Sequence, residues 1–192
     1  MPSLSHPSNW RATDLQQDQS WILSIDEQTR QEMIKTVVAV ADPSKTLFDY
    51  RREDFIWPRA NVFLRAALQE VKNRRGIALI KGLPRANLTA HQFEILTWGL
   101  GLHAGVPRPQ GKKTQYISAV RDAGVSYRTV TGRGYSSNAD LDFHTDSSDI
   151  VFLSCFNKAV SGGKTIVSIS MAGHDVMVRE YPEQAKWLYE PI

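Results

Sequence analysis

The chain has 192 residues, 42% of them hydrophobic and 22% charged, with a formal net charge of +3. That length holds one domain with a sizeable core, and the balance is that of a globular enzyme rather than a disordered or fibrous chain. Basic residues are scattered without a run of five, which argues against nucleic acid as a partner. No stretch reaches the length of a membrane span and the N-terminus lacks an apolar core of a signal peptide, so a cytoplasmic location is expected. The lone Cys155 cannot form an internal disulfide and, set in an apolar run, is expected to be a buried small hydrophobe.

Residues 1–22 are polar and rich in Ser, Pro and Gln, and read as a loosely held arm pinned by Trp10 and Trp21. Residues 23–192 then form the domain. Ser24-x-x-Glu27 has the form of a capping box, followed by Met33, Ile34, Val37, Val38 and Ala41 at helical spacing and a stop at Asp42-Pro43. A second helix begins near Pro58, with Phe63, Leu64, Ala67, Leu68 and Val71 on its apolar stripe and Arg65, Glu70 and Lys72 towards water. The glycine-bounded run 76–82 reads as a buried strand. Thr89-x-x-Gln92 caps a third helix with Phe93, Leu96, Thr97 and Leu100 inward, ended by Gly101 or Gly105. From there β signals dominate, with strands expected at 116–120, 150–156 and 165–169. A short helix over about 172–180 and a last turn with Trp187 and Leu188 close the chain. Helices first and sheet second give the class α+β.

The chemistry concentrates in GYSSNADLDFHTDSSDIVFLSCFNKAVSGGKTIVS, residues 134–168. In an extended segment residues i and i+2 share a face, so His144 and Asp146 would present an imidazole and a carboxylate side by side. That pair is two-thirds of the two-His, one-carboxylate face that holds non-haem Fe(II). On its own a His-x-Asp is weak evidence, but Asp140, Asp142, Asp146 and Asp149 would repel one another in one loop without a cation. Two rival motifs fail on single positions. A calcium loop starting at Asp140 needs Gly and Glu where Thr145 and Val151 stand. A phosphate loop ending Gly163-Lys164-Thr165 needs Gly at the position of Lys158 and a helix after it. His91 and His103 read as structural or solvent-facing, and His174, directly followed by Asp175, suits a helix surface.

The same stretch, with NWRATDL, EDF at 53–55, RGIALIKGLP, WGLGLHAG and the closing WLYEP in order, resembles the TauD/TfdA-like (taurine dioxygenase) family over essentially the whole chain. The resemblance implies a double-stranded β-helix (a jelly-roll of the clavaminate synthase type) preceded by helices. It implies an Fe(II)- and 2-oxoglutarate-dependent dioxygenase that hydroxylates a small organic substrate. His144 and Asp146 match the iron ligands, and Thr165 matches the residue whose hydroxyl binds a carboxylate of 2-oxoglutarate. Asn138 and Asp142 would flank the substrate. The family's second His and its 2-oxoglutarate-binding Arg lie many tens of residues after the His-x-Asp. Here 46 residues follow Asp146, holding only His174 and Arg179 on a predicted helix. The resemblance therefore implies the N-terminal part of such an enzyme, with an incomplete β-helix whose exposed edges favour self-association or aggregation. The alternatives are a non-catalytic remnant or partner-binding module of the same fold, and a site completed across an oligomer interface.

Overall fold

A computed structural model describes residues 6–110, 115–121 and 141–191. The described elements are α1 (Ala12–Gln17), β1 (Ile22–Ser24), α2 (Glu27–Val40), α3 (Ala60–Asn73), β2 (Leu79–Lys81), α4 (Ala90–Ala104), α5 (Ser170–Glu180) and α6 (Pro182–Ala185). Short 3-10 turns lie at Leu47–Asp49, Arg52–Asp54, Arg85–Asn87 and Lys186–Tyr189. The chain divides into two compact units, one of Met1–Glu32, Trp57–Leu83 and Thr165–Ile192, the other of Met33–Ile56 and Pro84–Lys164.

In the first unit β1 and β2 run parallel, with Ile22 opposite Leu79 and Ser24 opposite Lys81. Parallel neighbours need a long crossover, and α2 and α3 lie between them in sequence. Trp10 is buried, and its indole N–H donates to the carbonyl of Arg75 at 2.7 Å, so this aromatic anchor helps tie down the polar N-terminal stretch. The α2 start differs from the expected box. Ser24 is held in β1, and the carboxylate of Asp26 accepts from the N–H of Thr29 at 2.7 Å. An N-cap must directly precede the helix, and Asp26 stands there. On α3, Leu64 and Ala67 are buried as the stripe predicts and Ala60 is buried with them, but Glu70 is buried as well rather than facing water. It joins Arg75 in an ion pair of 2.7 Å, which offsets the cost of removing its charge from solvent.

In the second unit α4 follows its sequence signals closely. Thr89 Oγ1 accepts from the N–H of Gln92, the Gln92 side chain accepts from the N–H of Thr89, and the helix ends at Gly105. Phe93, Ile95, Leu96, Trp98, Gly99 and Leu100 are all buried, so this helix is enclosed on most sides. Met33 and Val37 of α2 are buried in the same unit, whereas Val38 is half exposed. The indole N–H of Trp98 donates to the Tyr50 carbonyl at 3.3 Å.

The expected strands at 116–120, 150–156 and 165–169 do not join a ladder; β1 and β2 are the strands among the described residues. A strand needs a neighbour for its N–H and C=O groups and cover for its apolar face. Here Leu153, Ile166 and Val167 are 71%, 74% and 51% exposed. Cys155 is exposed too, against the expectation of burial. The described residues hold helices and one two-stranded parallel sheet. Among the described residues no helix is long and apolar enough to cross a membrane.

Candidate functional site

His144 and Asp146 lie side by side in the second unit, with Nε2 of the ring 4.0 Å from Oδ1 of the carboxylate. Both side chains are more than half exposed, at 59% and 51%. His144 Nδ1 lies 2.8 Å from the carbonyl oxygen of Asp142. A carbonyl only accepts, so Nδ1 carries a proton, and in the neutral ring the lone pair sits on Nε2, on the side facing Asp146. This backbone bond is the kind that fixes the tautomer of metal-ligating histidines. Two ligands at right angles on bonds of about 2.1 Å stand about 3.0 Å apart, so roughly 1 Å of side-chain adjustment brings this pair onto one ion. The residues present thus fit two positions of a metal. Among the described residues no third His, Cys, Asp or Glu converges with them.

The other predicted site residues are distributed as follows. Asp142 is exposed and contributes its carbonyl to His144. Thr165 is exposed and is the first residue of a stretch assigned to the first unit, whereas the His-x-Asp belongs to the second. Asn138 lies outside the described residues, as does Asp140.

His103 and His174 are engaged structurally. His103 Nε2 donates to the Phe55 carbonyl at 2.9 Å, so its Nδ1 is the acceptor for Arg52 Nε at 3.4 Å. His174 Nε2 contacts the Tyr189 hydroxyl, and its Nδ1 is 3.5 Å from Asp175 Oδ1.

One residue with no signal in the sequence holds the segment after the His-x-Asp. Arg85 Nε donates to the Phe156 carbonyl at 2.7 Å, its guanidinium also bonds the Asn157 side chain, and it sits 4.5 Å above the Phe156 ring. Phe93 packs on the other contact of that ring, centroid to centroid 5.4 Å. The partners are about seventy positions apart, and no local pattern links them.

The chain is 26% identical over 177 residues to FR-33289 synthase of Streptomyces rubellomurinus (strain ATCC 31215), an alignment covering 92% of this chain and 52% of that protein. The chain therefore spans about half the length of this curated relative. The family described as "Taurine catabolism dioxygenase TauD, TfdA family" matches residues 43–191, which include the His-x-Asp, its flanking runs and the GG-x-Thr. The match extends over more than three-quarters of the sequence, and the chain belongs to the TauD/TfdA family of dioxygenases.

Proposed function

We propose that this chain carries the first part of an Fe(II)- and 2-oxoglutarate-dependent dioxygenase domain that hydroxylates a small organic substrate. What supports the reading, beyond family membership, is one observation: His144 is tautomerically fixed by the Asp142 carbonyl with Nε2 free beside Asp146. On this reading His144 and Asp146 hold the metal, and the Thr165 hydroxyl donates to a carboxylate of the cosubstrate. Asn138 and Asp142 flank the substrate. Fe(II) with 2-oxoglutarate and oxygen would supply the power to oxidise an unactivated C–H bond.

The protein's own part is to orient and to exclude. Asp142 holds the imidazole by its backbone, which favours Nε2 over Nδ1 as the atom offered to a metal. Asp146 brings one negative charge to a dication. The domain would be a jelly-roll in which 150–156 and 165–169 take partners as strands, with 1–22 as its N-terminal arm and 23–192 as the domain's N-terminal portion. A second His and a 2-oxoglutarate-binding Arg complete the site in the family pattern. The partner on this reading is a small molecule, not a nucleic acid or a membrane, and uncovered sheet edges would favour self-association.

The experiment is an anaerobic titration with Fe(II) and 2-oxoglutarate, followed by visible absorbance. A charge-transfer band that His144→Ala abolishes, and that Thr165→Val shifts to higher 2-oxoglutarate concentration, supports the proposal. No band, together with no change in metal affinity on His144→Ala, sinks it for this chain. A band growing with the square of protein concentration places its completion between two copies.

A further inference from the structure

The second unit contains an open cavity of about 400 Å³ whose lining includes neither His144 nor Asp146. Its walls are Phe48, Tyr50, Trp98 and Tyr116, and its rim carries Arg51 and Arg52. The rings of Phe48, Trp98 and Tyr116 meet edge to face in all three pairings, with centroids 5.0 to 6.0 Å apart. The polar handles of the deeper two walls are already occupied. Trp98 donates to the Tyr50 carbonyl, and the Tyr50 hydroxyl lies 3.0 Å from the N–H of Asp42 and accepts from it. What these walls offer a visitor is therefore aromatic surface. Phe48, in contrast, is half exposed although it belongs to this cluster.

The rim has the opposite chemistry. Arg52 is steadied through Nε by His103, which is itself fixed by the Phe55 carbonyl, and its two terminal nitrogens make no hydrogen bond or ion pair among the described residues. The Arg51 guanidinium likewise has none. Glu53 also lines the cavity, but it pairs with neither arginine. Lys45 adds a third cation, 5.5 Å from the Tyr50 ring. Of the nearby acids, Asp49 is taken up by the N–H and hydroxyl of Thr46, and Asp54 by the N–H of Arg51. Among the described residues, three cations against one uncommitted carboxylate disfavour a cationic ligand in an aromatic cage. Two guanidinium forks over an aromatic slot suit a planar apolar body bearing a carboxylate. The cavity volume accommodates a single ring with a short acid arm.

We propose that this cavity is a binding site for a small aryl carboxylate, with the ring seated against Phe48, Trp98 and Tyr116 and the carboxylate held by Arg51 and Arg52. It is independent of the metal-site reading, since no residue is shared.

The test is calorimetric titration of the chain with phenylacetate, in the presence of a chelator so that no metal-bound carboxylate contributes. Phenylacetamide keeps the shape without the charge, and acetate keeps the charge without the ring. Phenylacetate is expected to bind at least about tenfold more tightly than either. Arg51→Gln with Arg52→Gln is expected to reduce phenylacetate to the level of phenylacetamide, and Phe48→Ala to weaken both aromatic probes alike. Both arginines and Phe48 are exposed enough that the variants should keep the parent's circular dichroism and melting. Should the double variant melt early, the salt dependence of phenylacetate binding to the parent chain reads the same charge contact. Equal affinity for phenylacetate and phenylacetamide overturns the proposal, and so does absence of phenylacetate binding to the folded parent chain.

Discussion

Glu70 and Arg75 form an ion pair of 2.7 Å inside the first unit, with side chains only 7% and 11% exposed. Glu70 uses its second oxygen on Arg74 at 2.9 Å, and Arg75 reaches Asp18 with its other terminal nitrogen. Desolvating two charges costs several kcal/mol, so this arrangement is stable only while both partners are present. Arg75→Ala leaves a buried carboxylate with one exposed partner and should cost about 3 kcal/mol of stability. Glu70→Leu with Arg75→Met removes both charges and should recover most of that loss. Urea unfolding at constant slope measures both effects. A double variant as unstable as the single one would show that the pair contributes more than mutual compensation.

Acid should weaken the fold through carboxylates that accept short-range N–H and O–H bonds. Asp26 is held below its ordinary value of 3.8 chiefly by the N–H of Thr29, and Asp18 by the N–H of Ser20. Asp42 is lowered first by the hydroxyl of Ser44, and Asp49 first by the N–H of Thr46. A depressed folded-state value means that the unfolded chain binds more protons in that range. The contribution is complete above the unfolded value near 3.8 and is lost as pH falls through the lower folded values. The urea midpoint should therefore hold level down to about pH 5 and fall below about pH 4. Asp26→Asn should flatten that fall while lowering the plateau. A midpoint that rises on acidification would contradict the sign.

How much of this was legible depends on the range of the interaction. Thr89, Gln92 and Gly105 mark α4 in the letters because a cap acts within four residues. Glu70 could have been read better. It lies three residues after Ala67 and six after Leu64, on the buried stripe, and only its charge argued for water. The strands after Asp149 carry β-branched and aromatic residues, yet propensity does not supply a ladder partner, and these runs stay unpaired among the described residues. At the site, the adjacency of His144 and Asp146 follows from period two. The carbonyl of Asp142 that fixes the ring does not, because backbone acceptors look the same at every residue.

Cys155 gives a direct reading of that uncovered segment. The thiol is exposed, so an aromatic disulfide reagent should titrate one equivalent per chain without denaturant. Its rate should lie within about threefold of the rate in urea, since access rather than unfolding limits it. Pairing of 150–156 with added strands, from another copy or another segment, would slow the native rate and leave the urea rate alone. A thiol that reacts only after unfolding would show that the run is covered in solution.

Arg85 should govern how firmly the same segment is held. Among the described residues of 141–164, its bonds to Phe156 and Asn157 and the Phe93 ring contact are the hydrogen bonds and ring contacts that reach another part of the second unit. Two hydrogen bonds from a charged donor and a guanidinium over a ring together stabilise by about 1–2 kcal/mol at a partly exposed position. Arg85→Ala should speed limited proteolysis within 150–160 while leaving cleavage near β1 and β2 unchanged. Arg85→Lys keeps the charge but not the planar fork, so it should fall between the two. If the alanine variant is cut no faster than the parent, Phe156 is held by Phe93 alone and the arginine merely rests on it.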